Sequence, residues 1–147
     1  MKTGKQIIFL SLIAFILHLI WENAQAPLFQ GYASFAAHFP ICLVGTVGDV
    51  VITLVVYFSI ALLKNDINWI FTLNKKDFAI LAVVGFFTAV GIEWRALLFG
   101  RWAYAEVMPI IPYLKVGLVP ILQMTLLLPL SMYLTKKIVT YENYDKK

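Results

Sequence analysis

Four long apolar segments, separated by short polar ones, make up most of the chain. They are residues 6–22, 41–63, 78–99 and 114–134. A helix of about 20 apolar residues crosses a hydrocarbon core of about 30 Å. The pattern therefore predicts an all-α, polytopic membrane protein: a single domain, residues 1–147, folded as a bundle of four transmembrane helices.

The composition supports this interpretation and excludes others. Hydrophobic residues make up 61% of the chain and charged residues 14%, whereas soluble domains carry about 25% charged residues. The net charge of +4 is spread over short flanking segments, so it does not predict nucleic-acid binding. The single cysteine, Cys42, excludes an intramolecular disulfide.

The basic residues divide unequally between the two sides of the predicted bundle. One side carries Lys2, Lys5, Lys64, Lys75, Lys76, Lys136, Lys137, Lys146 and Lys147. The other side carries Arg95, Arg101 and Lys115. Because cytoplasmic segments are enriched in Lys and Arg, the sequence predicts a multi-pass protein of the inner membrane with both termini in the cytoplasm.

The first segment has two interpretations. Its lysines, its apolar core and Ala24-Gln25-Ala26 resemble a secretory signal with a cleavage site. Pro27 directly after that site is a poor context for cleavage, and His18 and Glu22 are unusual in a signal. We therefore expect this segment to be retained as the first transmembrane helix.

Each predicted helix contains one polar residue at a similar depth. With a rise of about 1.5 Å per residue, His18, Asp49, Glu93 and Gln123 all fall in the outer half of the membrane. An ionisable group at membrane depth costs about 2.5–3.5 kcal/mol on insertion scales. The sequence therefore predicts a polar site in the outer half, although some of these groups could serve only to lock the helices together.

The catalytic candidates are His18, Glu22, Asp49 and Glu93. Glu22 follows His18 by four residues, so it is expected to hold the imidazole. Asp49 or Glu93 in apolar surroundings is a candidate proton donor, and His18 is a candidate base or partner acid.

The ligand-binding candidates surround this layer. They are Gln25, Trp94, Arg95, Arg101, Trp102, Tyr104 and Gln123. Their aromatic rings can stabilise a cation. Gly100 is expected to end the third helix, which would place the residues after it at the rim. The aromatic outer loops 22–40 and 100–113 form either an interfacial belt or a lid.

Other chemistries have less support. With His18 as the one histidine near these acids and no ordered ligand motif, no metal and no cofactor are predicted. No cysteine or serine has an adjacent base that would indicate a nucleophile. A transporter would need more than one copy, so a homo-oligomer remains open.

Two sets of motifs resemble known families. Trp21–Phe29, Gly48–Val50, and Glu93–Tyr104 followed by Met108-Pro109 resemble a family of small bacterial four-helix membrane proteins, and this resemblance implies a fold without an activity. Gly100-Arg101-Trp102-Ala103-Tyr104 is similar to the G-x-W-x-Y motif of lycopene cyclases.

The second set is more distant. His18-Leu19-Ile20-Trp21-Glu22 resembles the H-x-x-x-E of EXPERA-domain proteins, which include a sterol isomerase and the sigma-2 receptor. Leu122–Pro129 is similar to the last helix of that group, with Gln123 where asparagine is frequent. The resemblance implies a lipid pocket, with His18 and Glu22 near a proton-transfer site and Gln123 as a polar partner. Arg95 and Arg101 are not part of that pattern.

Taken together, these features predict a protein that binds a hydrophobic, isoprenoid- or sterol-like molecule in a polar pocket. The sequence leaves open whether isomerisation or cyclisation by acid–base chemistry follows binding. The alternative is a non-enzymatic membrane subunit or small transporter whose buried charges lock helices or dock a partner.

Overall fold

Four helices form the framework of the structure, a computed structural model that describes residues 2–144, with side chains over residues 4–141. They are α1 (Lys2–Gln25), α2 (Phe35–Lys64), α3 (Lys75–Leu98) and α4 (Leu118–Tyr144). Each contains a stretch long and apolar enough to cross a membrane. The prediction of a mostly helical chain with four helices long and apolar enough to span a membrane is confirmed. Lys146 and Lys147, used in the orientation argument, lie outside the described residues.

All four helices extend beyond their predicted limits at one end or both, and α2 and α4 show the longest single extensions. α2 begins at Phe35, because the Ser34 side chain caps it by accepting a hydrogen bond from Ala37 N. Pro40 therefore lies inside the helix, although the sequence pattern placed it in a loop. α4 continues to Tyr144. Hydrophobicity marks the stretch that suits a membrane, whereas capping and propensity set the ends of a helix.

The helices pack in the spatial order α2, α1, α4, α3. α1 contacts α2 and α4, and α3 contacts α4, whereas the backbones of α2 and α3 scarcely approach each other. The α3–α4 crossing is very close at Gly85, where an added Cβ would lie 2.4 Å from the Met124 carbonyl oxygen. Glycine is required at this position because any side chain would collide with backbone.

One end of the bundle, which we call the lysine end, is closed by the connection between α2 and α3. Its core contains Tyr57 and Trp69, both fully buried. The Tyr57 hydroxyl donates to Ile67 O at 2.5 Å and accepts from Gln6 Nε2 at 2.6 Å. Lys64 Nζ pairs with Asp77 Oδ1 at 2.5 Å. These contacts fasten α1, α2 and α3 together at this end.

At the other end, the hairpin end, the connections α1–α2 and α3–α4 pair with each other. Gln30 N donates to Ala103 O, and Ala105 N donates to Leu28 O, each at 2.9 Å. Two short antiparallel strands, β1 (Ile110–Ile111) and β2 (Val116–Gly117), follow. The sequence pattern did not predict this sheet, because strands of two residues show no alternation.

Candidate functional site

A cavity of about 490 Å³ lies near the hairpin end, in the gap that α2 and α3 leave between them. α1 and α4 contribute Glu22, Gln25 and Gln123 to its lining. On α2, the lining residues Ile41 and Val44 are also 62% and 74% exposed on the surface of the bundle. The cavity therefore opens sideways, towards the surface that lipid would cover.

A polar cluster at this cavity is centred on Gln123, which is almost fully buried. Gln123 Nε2 lies 2.9 Å from Glu22 Oε1, 2.8 Å from Asp49 Oδ2 and 3.1 Å from His18 Nδ1. Gln123 Oε1 accepts from Gln25 Nε2 at 2.8 Å. One side chain of α4 thus joins α1 and α2.

The protons of this cluster can be assigned by counting. Gln123 Nε2 has two hydrogens for three neighbouring atoms. His18 Nδ1 lies 3.1 Å from Asp49 Oδ2, so a hydrogen on Nδ1 resolves the count: His18 donates to Asp49, and Gln123 donates to Glu22 and Asp49. The opposite orientation of the Gln123 amide would set its oxygen against two carboxyl groups.

With this assignment, every N–H hydrogen of the cluster is donated to an acceptor within the cluster. The Gln25 amide gives its hydrogens to Glu22 Oε1, at 3.0 Å, and to Gln123 Oε1. Gln25 is 5% exposed, lines the cavity, and its buried Oε1 has no partner among the described residues. Glu22 Oε2 and Asp49 Oδ1 also make no hydrogen bond within that part of the chain. With both carboxyl groups ionised and His18 neutral, the groups of the cluster that remain free, His18 Nε2 among them, are acceptors.

Glu93 forms a second polar group, on the α3 side of the same cavity. Its Oε2 accepts from Trp102 Nε1 at 3.2 Å and from the Tyr104 hydroxyl. Burial, and next the hydrogen bond to Glu93, raise the pKa of Tyr104 well above its ordinary value, so the tyrosine keeps its proton and remains the donor. Phe29 packs on both rings, with centroids 6.2 Å from Trp102 and 5.7 Å from Tyr104. Glu93 therefore anchors the paired loops.

The structure brings most of the sequence candidates to one cavity. The candidates that line it are Glu22, Gln25, Asp49, Glu93, Arg101, Trp102 and Gln123. His18 lies in the polar cluster but does not line the cavity, and Tyr104 reaches it through Glu93. Gly100, at φ +61°, follows the end of α3 as predicted.

Two candidates lie apart from this site. Trp94 is half exposed, and its Nε1 donates to Leu114 O at 2.8 Å, which ties α3 to the hairpin loop. Arg95 is exposed and lies over the Phe99 ring, 6.0 Å from its centroid. Neither lines the cavity.

The expected pairing of His18 with Glu22 is replaced by another. His18 Nδ1 meets Asp49 on α2, while Glu22 takes amide hydrogens from Gln123 and Gln25. The spacing of four does place His18 and Glu22 on one face of α1. The hydrogen-bond partner of His18, however, comes from the neighbouring helix α2. Within residues 4–141, no three His, Cys, Asp or Glu side chains are grouped to hold a metal.

Sequence reasoning missed several cavity residues. Gly45 and Gly48 line it, and a Cβ at Gly45 would lie 3.1 Å from Glu22 Oε2, whereas a Cβ at Gly48 would meet nothing within 4 Å. Gly45 thus gives the Glu22 carboxyl room, and Gly48 borders the opening. The sequence signal for these two residues is the pair of glycines three positions apart, the second of which directly precedes Asp49.

Comparison with known proteins adds no identification: no family model, no curated protein and no solved structure matches the chain.

Proposed function

We propose that this protein binds a hydrophobic molecule of isoprenoid- or sterol-like size in the cavity between α2 and α3. The observation that carries the proposal is a cavity with apolar walls whose polar end offers acceptors. Its volume of about 490 Å³ falls within the range of about 300–1,000 Å³ that is typical of small-molecule sites.

The hydrogen-bond count supports a particular kind of head group. Every hydrogen of the Gln25 and Gln123 amides is used within the cluster, while Gln25 Oε1 and one oxygen each of Glu22 and Asp49 stay free. A ligand that fits must therefore bring donors, as a hydroxyl or ammonium group does. At this cluster a carbonyl or a carboxylate would face acceptors alone, because the donors Arg101 and Trp102 that also line the cavity belong to the loop after α3.

The position of the opening supports entry from the bilayer. The gap between α2 and α3 is bordered by the exposed side chains of Ile41 and Val44 and by Gly48. The hairpin end is covered by the paired loops. We therefore propose that the ligand passes sideways between the two helices.

The proposal extends to proton transfer on the bound molecule. Two carboxyl groups at one cavity can act as acid and base. One would give a proton to a carbon of a double bond, and the other would take a proton from a neighbouring carbon. The double bond moves, and the proton count of the protein is unchanged. Asp49, with His18 behind it, and Glu93 are the candidates for these roles.

A non-enzymatic subunit is the second candidate, and one observation favours it. Gln123 joins α4 to Glu22 of α1 and Asp49 of α2, which is what a lock between helices requires. A lock needs no ligand, so the two candidates differ in whether the cavity is occupied.

We expect Gly48→Trp to abolish binding and leave the fold intact. The indole would enter open space beside the cavity, because a Cβ there meets nothing within 4 Å. The measurement is mass spectrometry of small molecules extracted from gently purified protein, and the expected loss of the bound molecule is at least about tenfold, or about 1.4 kcal/mol.

The matched control is Gly91→Trp. Gly91 is an exposed position of α3 that also has open space and does not line the cavity. It should retain the ligand. Absence of any bound molecule from the unmodified protein, or equal loss in both variants, would favour the lock.

The orientation is also a proposal: the lysine end faces the cytoplasm, in the inner membrane. Lys64, Lys75, Lys76, Lys136 and Lys137 support it. We expect reporter domains fused after residue 147 to show a cytoplasmic signal. A periplasmic signal would reverse the orientation without affecting the cavity.

A further inference from the structure

A second concave surface lies at the lysine end, between the beginning of α3 and the middle of α4. It is a groove of about 470 Å³ lined by Leu73, Asn74, Lys75, Phe78, Leu130 and Tyr133. It shares no lining residue with the cavity described above. The proposed function makes no use of it.

The wall of this groove is apolar and open. Phe78 is 39% exposed and Tyr133 is 40% exposed, and Leu73 and Leu130 lie between solvent and interior. Rings and branched chains at the end of a spanning segment are expected to contact lipid tails. An apolar wall of this kind suits contact with an acyl chain.

Three lysines stand around the same groove. Lys75 lines it directly. Lys136 Nζ donates to Leu73 O at 3.0 Å, and Lys137 Nζ lies 5.6 Å from the centroid of the Tyr133 ring. Since Leu73 and Tyr133 both line the groove, the two ammonium groups are held at its rim.

The acid beside these lysines, Asp77, is already engaged. It pairs with Lys64 at 2.5 Å, and the charge of Lys136 acts on it at longer range. The Asn74 side chain accepts from Lys76 N and Asp77 N, and so caps the start of α3. The helix terminus is therefore already satisfied, and an anion here would be held by the lysine side chains.

We propose that this groove binds an anionic phospholipid, with an acyl chain on Phe78, Leu130 and Tyr133 and the phosphate among Lys75, Lys136 and Lys137. Basic pockets between spanning helices are a recurring way to hold anionic head groups. Charge complementarity and the adjoining apolar wall together select a lipid over a small ion or an uncharged lipid.

The test is native mass spectrometry of the full chain titrated with phosphatidylglycerol or phosphatidylcholine. We expect phosphatidylglycerol to bind at least about tenfold more tightly, from the contribution of several lysines near a charged surface. The combined variant Lys75→Gln, Lys136→Gln and Lys137→Gln should remove that preference. The combined variant Lys76→Gln, Arg95→Gln and Lys115→Gln removes the same charge from residues that line neither the groove nor the cavity, and it should keep the preference.

Two outcomes would overturn the proposal. Equal binding of the two lipids, or equal loss in both combined variants, would leave only a general effect of net charge. Displacement of phosphatidylglycerol by millimolar inorganic phosphate would indicate an ion site without a role for the acyl chain. Circular dichroism of both variants checks that the helices persist.

Discussion

Replacement of Gln123 by leucine is expected to lower the free energy of unfolding by about 2–4 kcal/mol. The two side chains have similar volumes, so the change removes hydrogen bonds without opening a large cavity. Glu22, Asp49 and Gln25 each lose a partner at 2.8–2.9 Å.

The size of this effect depends on whether Glu22, Asp49 and Gln25 can form hydrogen bonds with other groups once the amide is gone. A hydrogen bond between spanning helices contributes about 0.6 kcal/mol on average, because the separated helices find other partners. A buried group left without a partner costs about 1–3 kcal/mol, and more when charged. Gln123 donates to two carboxyl groups at once. We therefore expect the cost of leaving buried groups without a partner to dominate.

Thr125→Val is the matched control on the same helix. The Thr125 hydroxyl donates to Ile121 O of its own helix at 2.7 Å, so its removal should change stability by less than about 0.5 kcal/mol. Reversible unfolding in mixed micelles measures both variants. Equal stabilities would show that the Gln123 amide does not hold α1, α2 and α4 together.

Replacement of Glu93 by alanine is expected to free the paired loops at the hairpin end. The Tyr104 hydroxyl and Trp102 Nε1 lose their shared acceptor. Hydrogen bonds to charged groups contribute about 1.5–3 kcal/mol each, and about 1.4 kcal/mol is a factor of ten. Amide hydrogen exchange at Gln30 and Ala105, which cross-link the loops, should therefore rise at least about tenfold.

Two further variants distinguish the role of Glu93 in holding the loops from its proposed role in binding the ligand. Glu93→Gln keeps an acceptor oxygen for the tyrosine and the indole, so exchange should rise by less than about threefold, whereas the content of bound ligand should fall. Glu106→Gln makes the same chemical change at an exposed position and should alter neither. If Glu93→Ala left the exchange rates unchanged, Glu93 would not be the anchor of the loops.

The layer of polar residues could be predicted because helical rise is nearly constant. His18, Asp49 and Gln123 were placed at one depth from their distance along each helix, and they meet within 3.1 Å. Depth along a helix is a property of the sequence alone. Which helix stands beside which is not.

Which side chains would pair could not be predicted, because the sequence does not show which helices are neighbours in the bundle. His18 was assigned to Glu22 within α1, and it pairs with Asp49 once α2 is its neighbour. Trp94 and Arg95 are adjacent to Glu93 in sequence, but successive helix positions differ in direction by about 100°, so neither follows Glu93 to the cavity. The pairing of residue 29 with residue 104 depends on loop geometry that no periodicity encodes.

The absence of close contact between α2 and α3 has a consequence for how the cavity fills. If a hydrophobic molecule binds as proposed, it would come through this gap from the bilayer without crossing bulk water. Its occupancy would then follow its mole fraction among the surrounding lipids, and its concentration in buffer would have little influence. Affinities compared at equal aqueous concentration would rank such ligands by their partitioning, whereas titration by mole fraction in vesicles would rank them by their fit.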